Sequence, residues 1–344
     1  MPRPFGAGEA SSRRGTPFRF ALNAIQWSNG KADPDDPESA DVWLYREPSF
    51  RADYPKVLAQ VRRAGFDAVM MEVLDTQTLQ NYKRMVEEAG LALAPGYCQV
   101  GLPEDVGLSV IPGTAEWVRW FDAVRRRAEE SNFLGLSTVF LAPEPAWESG
   151  VRMVEQAAVG ADFSQDRLDR VVETLAAAAD VLVAEGIRPG LHNHVGSWVE
   201  TEYETDYVLA QIDDALLGAS FDLGHLAWAG IDPVAMIAKH RDRIVDLHIK
   251  DIDLDVAEHS RRVPAPYTTS IDRCVSVEPG AGGLDLTGAL AELSPTFDGW
   301  LIVEVDHTAL HPDDSARLSW NWVESTFQRD HGAQPAPTQS ESTP

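Results

Sequence analysis

Short apolar runs of strand length alternate along this chain with longer stretches whose apolar residues recur every three or four positions. The strand-like runs are FRFALNAIQWS, FDAVMMEVL, LALAPGYCQV, LSTVFLAPE, RPGLHNH, GASFDLGH, RIVDLHIKD and WLIVEVD. Between and after them the spacing predicts helices over 54–64, 77–89, 114–130, 166–185, 205–212, 233–239, 286–293 and 314–327. Gly65, Gly90 and Gly186 stand just past three of these and serve as stops. The segment 252–278, containing PAPYTTS, exceeds ordinary connections in length. Strands alternating with helices predict an α/β fold, a single-domain (β/α)8 TIM barrel over 17–329. A doubly wound sheet is the alternative, but no Gly-rich phosphate loop supports it. The polar stretches 1–16 and 330–344, rich in Ser, Pro and Gly, read as disordered tails. No internal repeat is evident.

The ends of the runs carry the chemistry. Six of them finish on residues that ligate metals or move protons: Glu72, Glu144, His192 with His194, Asp222 with His225, His248, and Glu304. A β/α barrel gathers the carboxyl ends of its strands on one face, so residues far apart in sequence converge there. Carboxylates and imidazoles gathered in that way make a divalent-metal site.

Composition narrows the partners. With 29 Lys+Arg against 54 Asp+Glu the formal charge is −25, which repels nucleic acid and anionic membrane surfaces. Cys98 and Cys274 are the two cysteines, so neither a disulfide framework nor a thiolate metal cluster is expected. The N-terminus lacks the apolar core of a signal peptide, and no run of about 18 apolar residues predicts a membrane span. The expected location is the cytoplasm.

Single positions allow two readings each. Asp222 is either a helix N-cap or a ligand, and the Leu-Gly-His that follows it exceeds what capping needs. His248 alternates with Leu247 and Ile249 and is either a structural histidine or a ligand. Glu304 lies between Val303 and Val305, where burial demands a compensating cation, either an arginine or a metal. His192 and His194 fall on one face of their strand by alternation. Trp27 and Tyr97 would wall the pocket with aromatic faces suited to a sugar ring or cyclitol, although packing explains tryptophans equally well.

LNAIQWSN, LAPGYCQ, LHNH, FDLGH, LHIKD and IVEVD, in this order over 18–327, resemble the sugar phosphate isomerase/epimerase-like superfamily of xylose isomerase-type TIM barrels. The pattern is nearest to inosose dehydratases and related keto-sugar lyases. That resemblance implies that Asp222, His248 and Glu304 are metal ligands and that Lys250 contacts a substrate oxygen. It also exposes a departure. The epimerases carry a glutamate at the fifth strand end, serving as ligand and as one of two facing bases, whereas His192 stands here. His192 becomes the fourth ligand, and His194 a candidate base or second ligand. Glu144 and Glu72 are further acids for the pocket, Glu144 as a catalytic group and Glu72 near substrate. His225, with Asp306 and His307, belongs to the surroundings of the ligands or the substrate.

Mixed oxygen and nitrogen ligation suits one divalent ion, Mn2+ first, with Co2+, Zn2+, Fe2+ or Mg2+ as alternatives. The expected reaction is α-proton abstraction and β-elimination on a keto-polyol, an inosose or a 3-keto-sugar or 3-keto-glycoside, because one base and one acid suffice for it. The alternative is a sugar isomerase or epimerase working through an enediolate. A non-catalytic sugar-binding barrel would predict a broken ligand set, and an endonuclease would call for a basic groove. The expected partner is a small keto-sugar or cyclitol, with a homo-oligomer left open.

Overall fold

Parallel strands close into a ring in the computed structural model, which describes residues 18–31, 41–74, 77–147 and 150–327. The strands are β1 (Arg19–Leu22), β2 (Ala68–Met70), β3 (Ala92–Ala94 and, past Pro95-Gly96, Tyr97–Val100), β4 (Thr138–Pro143), β5 (Arg188–Leu191), β6 (Gly218–Ala219), β7 (Leu247–Ile249) and β8 (Trp300–Val303). β8 pairs with β1 and β7, β2 pairs with β1 and β3, and the second half of β3 leads to β4, β5 and β6, all in parallel. Between β6 and β7 the ring closes through Val245 N–H to Ala219 O at 2.7 Å and His248 N–H to Phe221 O at 2.9 Å. At the break in β3, residue 96 is a glycine for a steric reason. A Cβ there would stand 2.3 Å from Met71 O of the neighbouring strand.

The helices α1 (Pro48–Ala64), α2 (Leu79–Glu88), α3 (Asp122–Leu134), α4 (Gln165–Ala184), α5 (Glu202–Gln211), α6 (Pro233–His240), α7 (Leu286–Ala291) and α8 (Pro312–Phe327) follow β1 to β8 in turn. Each presents an apolar stripe to the outer faces of the strands, as Leu168, Val171, Leu175, Ala178 and Leu182 do on α4. Inside the ring, Ala21, Ala68, Met70, Ala94, Phe140 and Ile302 form a separate small core. Alanines on β1, β2 and β3 leave room there for the Phe140 ring. The (β/α)8 barrel read from the sequence is therefore present, and the doubly wound alternative falls with the closed ring. No helix among the described residues is long and apolar enough to cross a membrane.

Three local expectations need correction. The first run is strand only to Leu22, because Asn23 turns the chain into a 3₁₀ helix, Ala24–Trp27, which takes Trp27 off the strand. The helix expected over 114–130 is two, Ala115–Trp120 and α3, divided at Phe121, whose φ of −95° and ψ of 16° leave the helical range. The first helix begins at Pro48, a residue suited to a first turn because it has no N–H to leave unbonded. The predicted tails, 1–16 and 330–344, fall outside the described residues.

The segment 252–278 is no open loop. It holds the helices Leu254–Arg262 and Tyr267–Ile271, and a two-stranded antiparallel pair of Asp251–Ile252 with Ser276–Val277 brackets it. With the loops after β4, β5 and β6 it buries a core of its own over the ring, including Met153, Ala158, Val195, Trp228, Ala257 and Tyr267. Polar ties hold this roof. Glu200 accepts backbone N–H groups from Ala158 (2.8 Å), Gly160 (2.7 Å) and Gly196 (2.7 Å). Asp251 likewise accepts from Gly280, Gly282 and Leu284. Arg152 and Glu204 form a buried two-pronged pair at 2.6 and 3.0 Å.

Candidate metal centre at the strand ends

β5 to β8 deliver four polar side chains: His192, Asp222 and Glu304 stand one to three residues beyond their strands, and His248 is the middle residue of β7. Asp222 and His248 are paired directly across the closure between β6 and β7, which sets their side chains side by side. His192 follows Leu191 of β5, and Glu304 follows Val303 of β8. All four are buried.

The first three converge: one donor atom from each of His192, Asp222 and His248 lies within 4.8 Å of the others. His192 Nδ1 is 3.0 Å from Ser220 O, so it carries the ring proton and leaves Nε2 with its lone pair. Asp222 divides its oxygens. Oδ1 accepts the His225 N–H at 2.9 Å and caps the helix Leu223–Trp228, whereas Oδ2 makes no hydrogen bond. The capping and ligand readings are thus both satisfied by one residue. Its backbone is clamped by Asn193, which accepts the Asp222 N–H at 3.0 Å and donates to Asp222 O at 3.3 Å. Nε2 of His192, Oδ2 of Asp222 and Nε2 of His248 are all buried without a hydrogen-bond partner. Buried polar atoms are normally paired; Asp222 Oδ2 has the Lys250 ammonium 2.9 Å away, whereas the two imidazole nitrogens have no hydrogen-bond partner, so the group offers donors to a cation.

Glu304 borders this group. Its carboxylate lies 3.0 Å from His248 Nδ1 and 2.8 Å from Lys250 Nζ, and it accepts from the Tyr97 hydroxyl at 3.0 Å and from the Asn23 amide. Lys250 also reaches Asp222 Oδ2 at 2.9 Å, Asp306 at 2.9 Å and His225 Nε2 at 3.2 Å. The charges set one another. Burial alone would depress His248, but the Glu304 and Asp222 charges reverse this and raise it to about 9. Burial raises Asp306, and with the neighbouring carboxylates it outweighs Lys250, bringing the group to about 7. Burial, assisted by His248, lowers His192 to about 3, which leaves it neutral and able to ligate.

Aromatic rings shape the space. Phe140 forms the floor, 4.3 Å from the His248 ring and 5.5 Å from His192. Tyr97 stands beside both histidines at 5.1 and 5.4 Å, the wall expected of it. His194 is outside the group whose donor atoms meet, its ring 6.5 Å from that of His192. It lies over His225 at 4.0 Å and stacks on Tyr267 at 5.6 Å, with the Trp147 edge at 6.2 Å. Its Nδ1 faces Val195 O at 2.6 Å, so the free lone pair is on Nε2. Burial, with the Lys250 charge, lowers its pKa to about 4.

The other expected residues lie further out. Glu144 is exposed at the rim. Its carboxylate stands near Gly101, it shares a small cavity with Val171 and Trp198, and its backbone N–H donates to Val100 O at 3.0 Å. Burial still raises its pKa. The Glu72 charge acts on Tyr45, Tyr54 and Tyr82, so it belongs to that row of tyrosines at the end of β2. Trp27 packs against the main core, with its indole nitrogen buried and unbonded. His225 holds its place beside the ligands, with Nδ1 3.4 Å from Val195 N. His307 ties the end of β8 to the roof at Ile271 O, 3.2 Å away. Sequence reasoning passed over Asn23 and Tyr267. Asn23 follows β1 much as the ligands follow their strands, a signal available in the LNAIQWSN run, whereas nothing local distinguishes Tyr267.

Known proteins resemble this chain in sequence and in fold. The profile of the xylose isomerase-like TIM barrel family fits residues 58–326. The rhizopine catabolism protein MocC of Rhizobium meliloti is 27% identical over 92% of this chain and 89% of its own length. An inosose dehydratase of Geobacillus kaustophilus is 25% identical over 90% of the chain and 94% of its own. Among solved structures, the IOLI protein with a bound zinc atom superposes with a TM-score of 0.59 at 14% identity, covering 90% of this chain and 97% of that one. D-allulose 3-epimerase from Methylomonas sp. in complex with D-allulose does so with a TM-score of 0.59 at 17% identity, covering 91% and 98%.

Proposed function

The chain belongs to the xylose isomerase-like TIM barrel family, and from that premise we propose that it is a divalent-metal-dependent lyase acting on a keto-polyol. The observation that carries the reading is the meeting of one donor atom each from the buried His192, Asp222 and His248, with His192 Nε2 left without a hydrogen-bond partner. These residues fit a metal and would hold it, with Glu304 alongside. Two imidazoles and carboxylate oxygens favour Mn2+, with Co2+, Zn2+, Fe2+ or Mg2+ as alternatives. Once bound, the ion supplies a Lewis acid that stabilises negative charge developing on a substrate oxygen. The names of the relatives, inosose dehydratase and a rhizopine catabolism protein, support an inosose or a related keto-sugar derivative as substrate.

The protein's own groups divide the remaining work. His194 Nε2 takes the proton from the carbon next to the carbonyl, and the electrons of that C–H bond become the new C=C bond. The C–O bond at the β carbon then breaks, and an acid delivers a proton so that water or an alcohol departs. Glu144 is the acid on the accessible side, kept protonated to higher pH by its burial. Tyr97, Tyr267 and Phe140 give apolar faces for the C–H side of the ring. His192 in place of a second facing carboxylate favours elimination over two-base epimerisation. Incubation with 2-keto-myo-inositol and Mn2+ in deuterated water tests the reading. A dehydrated, ultraviolet-absorbing product supports it. A deuterated epimer or ketose of unchanged formula replaces the lyase with the isomerase alternative.

A further inference from the structure

We propose that Lys250 is a resident counter-cation of the metal centre: its ammonium holds Asp222 and Glu304 together when no metal is bound, and it yields Asp222 Oδ2 when one binds. The inference rests on the metal reading above.

Lys250 is among the largest fully buried side chains of the protein, and its Nζ meets three carboxylates at 2.8 to 2.9 Å. Three buried carboxylates in one place repel one another strongly unless a cation lies among them. Beside the partly compensating His248, Lys250 is that cation in the metal-free protein. The contacts differ in kind. Asp306 receives a hydrogen bond from Nζ at 3.0 Å, whereas Asp222 Oδ2 is close to the ammonium yet makes no hydrogen bond with it. Oδ1 of Asp222 is committed to capping the next helix, so Oδ2 is the oxygen a metal would use. Lys250 and the metal therefore compete for one oxygen, and Asp306 is where the ammonium stays.

A second, independent observation shows that the fold is built around this side chain. Gly224 carries no positive φ, so its backbone conformation is open to any residue. A Cβ on it, however, would stand 2.5 Å from Cγ, 2.8 Å from Cδ and 2.9 Å from Cβ of Lys250. The glycine of FDLGH thus admits the lysine of LHIKD, and two motifs distant in sequence are linked by one steric contact.

Removing the positive charge should separate this role from a merely structural one. Metal-free and Mn2+-loaded protein are compared by thermal unfolding, and Mn2+ affinity is measured by titration calorimetry. We expect Lys250→Met to lower the melting temperature of the metal-free protein while Mn2+ restores most of the loss. We expect Mn2+ to bind roughly tenfold tighter, about 1.4 kcal/mol, because a like charge beside it is gone. Lys250→Arg, which keeps the charge, should stay near the wild-type affinity. Equal destabilisation with and without Mn2+, or unchanged or weaker Mn2+ binding in Lys250→Met, overturns the proposal. If Lys250→Met fails to fold in either condition, Gly224→Ala decides. By displacing the ammonium it should also tighten Mn2+ binding, and an unchanged affinity overturns the idea. A wild type that binds no Mn2+ removes the metal reading itself.

Discussion

Asp222 shows how one short side chain serves fold and chemistry together. Its Oδ1 caps a helix and its Oδ2 faces the donor group, so the two functions come apart on substitution. Asp222→Asn retains an acceptor for the cap. It should unfold within about 1 kcal/mol of the wild type yet lose metal in elemental analysis; full occupancy in the variant would refute the ligand assignment. His194→Ala, which leaves the donors untouched, should retain metal and lose about 10²- to 10⁴-fold in turnover. Glu144→Gln tests the acid by its pH profile. An acid works protonated, so turnover should fall as pH rises through its upward-shifted pKa, and that alkaline limb should vanish in the variant. A limb that persists assigns the acid elsewhere. Much of this constellation was legible because strand ends and two-residue alternation are local signals, which marked His192, Asp222, His248 and Glu304. Asn23 carried the same strand-end signal and was passed over; Tyr267 and the Lys250–Gly224 contact were not legible, because they depend on register across the ring and on how a distant segment folds back.

At the scale of elements, the eight alternating units were readable from period alone, while their interruptions were not. Asn23 leaves β1 to reach Glu304, so AIQW becomes a 3₁₀ turn although its composition continues a strand. Phe121 packs its ring against Trp117 at 5.0 Å and divides a stretch that reads as one helix. The roof is the largest such case. Its helices are short and their apolar residues few, so the pattern resembles a loop until its own core is seen. Tyr267→Ala removes the ring that stacks on His194 and should raise the Michaelis constant for a keto-polyol while metal content stays unchanged. An unaltered constant would deny the roof a part in binding. Glu200→Ala orphans three backbone N–H groups, each worth on the order of 1–3 kcal/mol. Hydrogen exchange over 155–161 and 195–200 should accelerate, with the β strands still protected; uniform protection would show that the tie is dispensable.

For the molecule as a whole, the candidate metal centre lies where the ring closes, with Asp222 past β6's end paired to His248 on β7. A bound ion would therefore join the closing strands as well as serve chemistry, and chelation should lower the melting temperature in proportion to the affinity lost. A melting curve indifferent to chelator would mean that the closure holds unaided. The separation of roof and ring has another consequence. Because the barrel and its cover bury different sets of residues, drift in one need not disturb the other. Laboratory evolution confined to the stretches 150–164, 195–201 and 252–278 could retune which polyol is accepted while the reaction chemistry is inherited intact from the strands beneath.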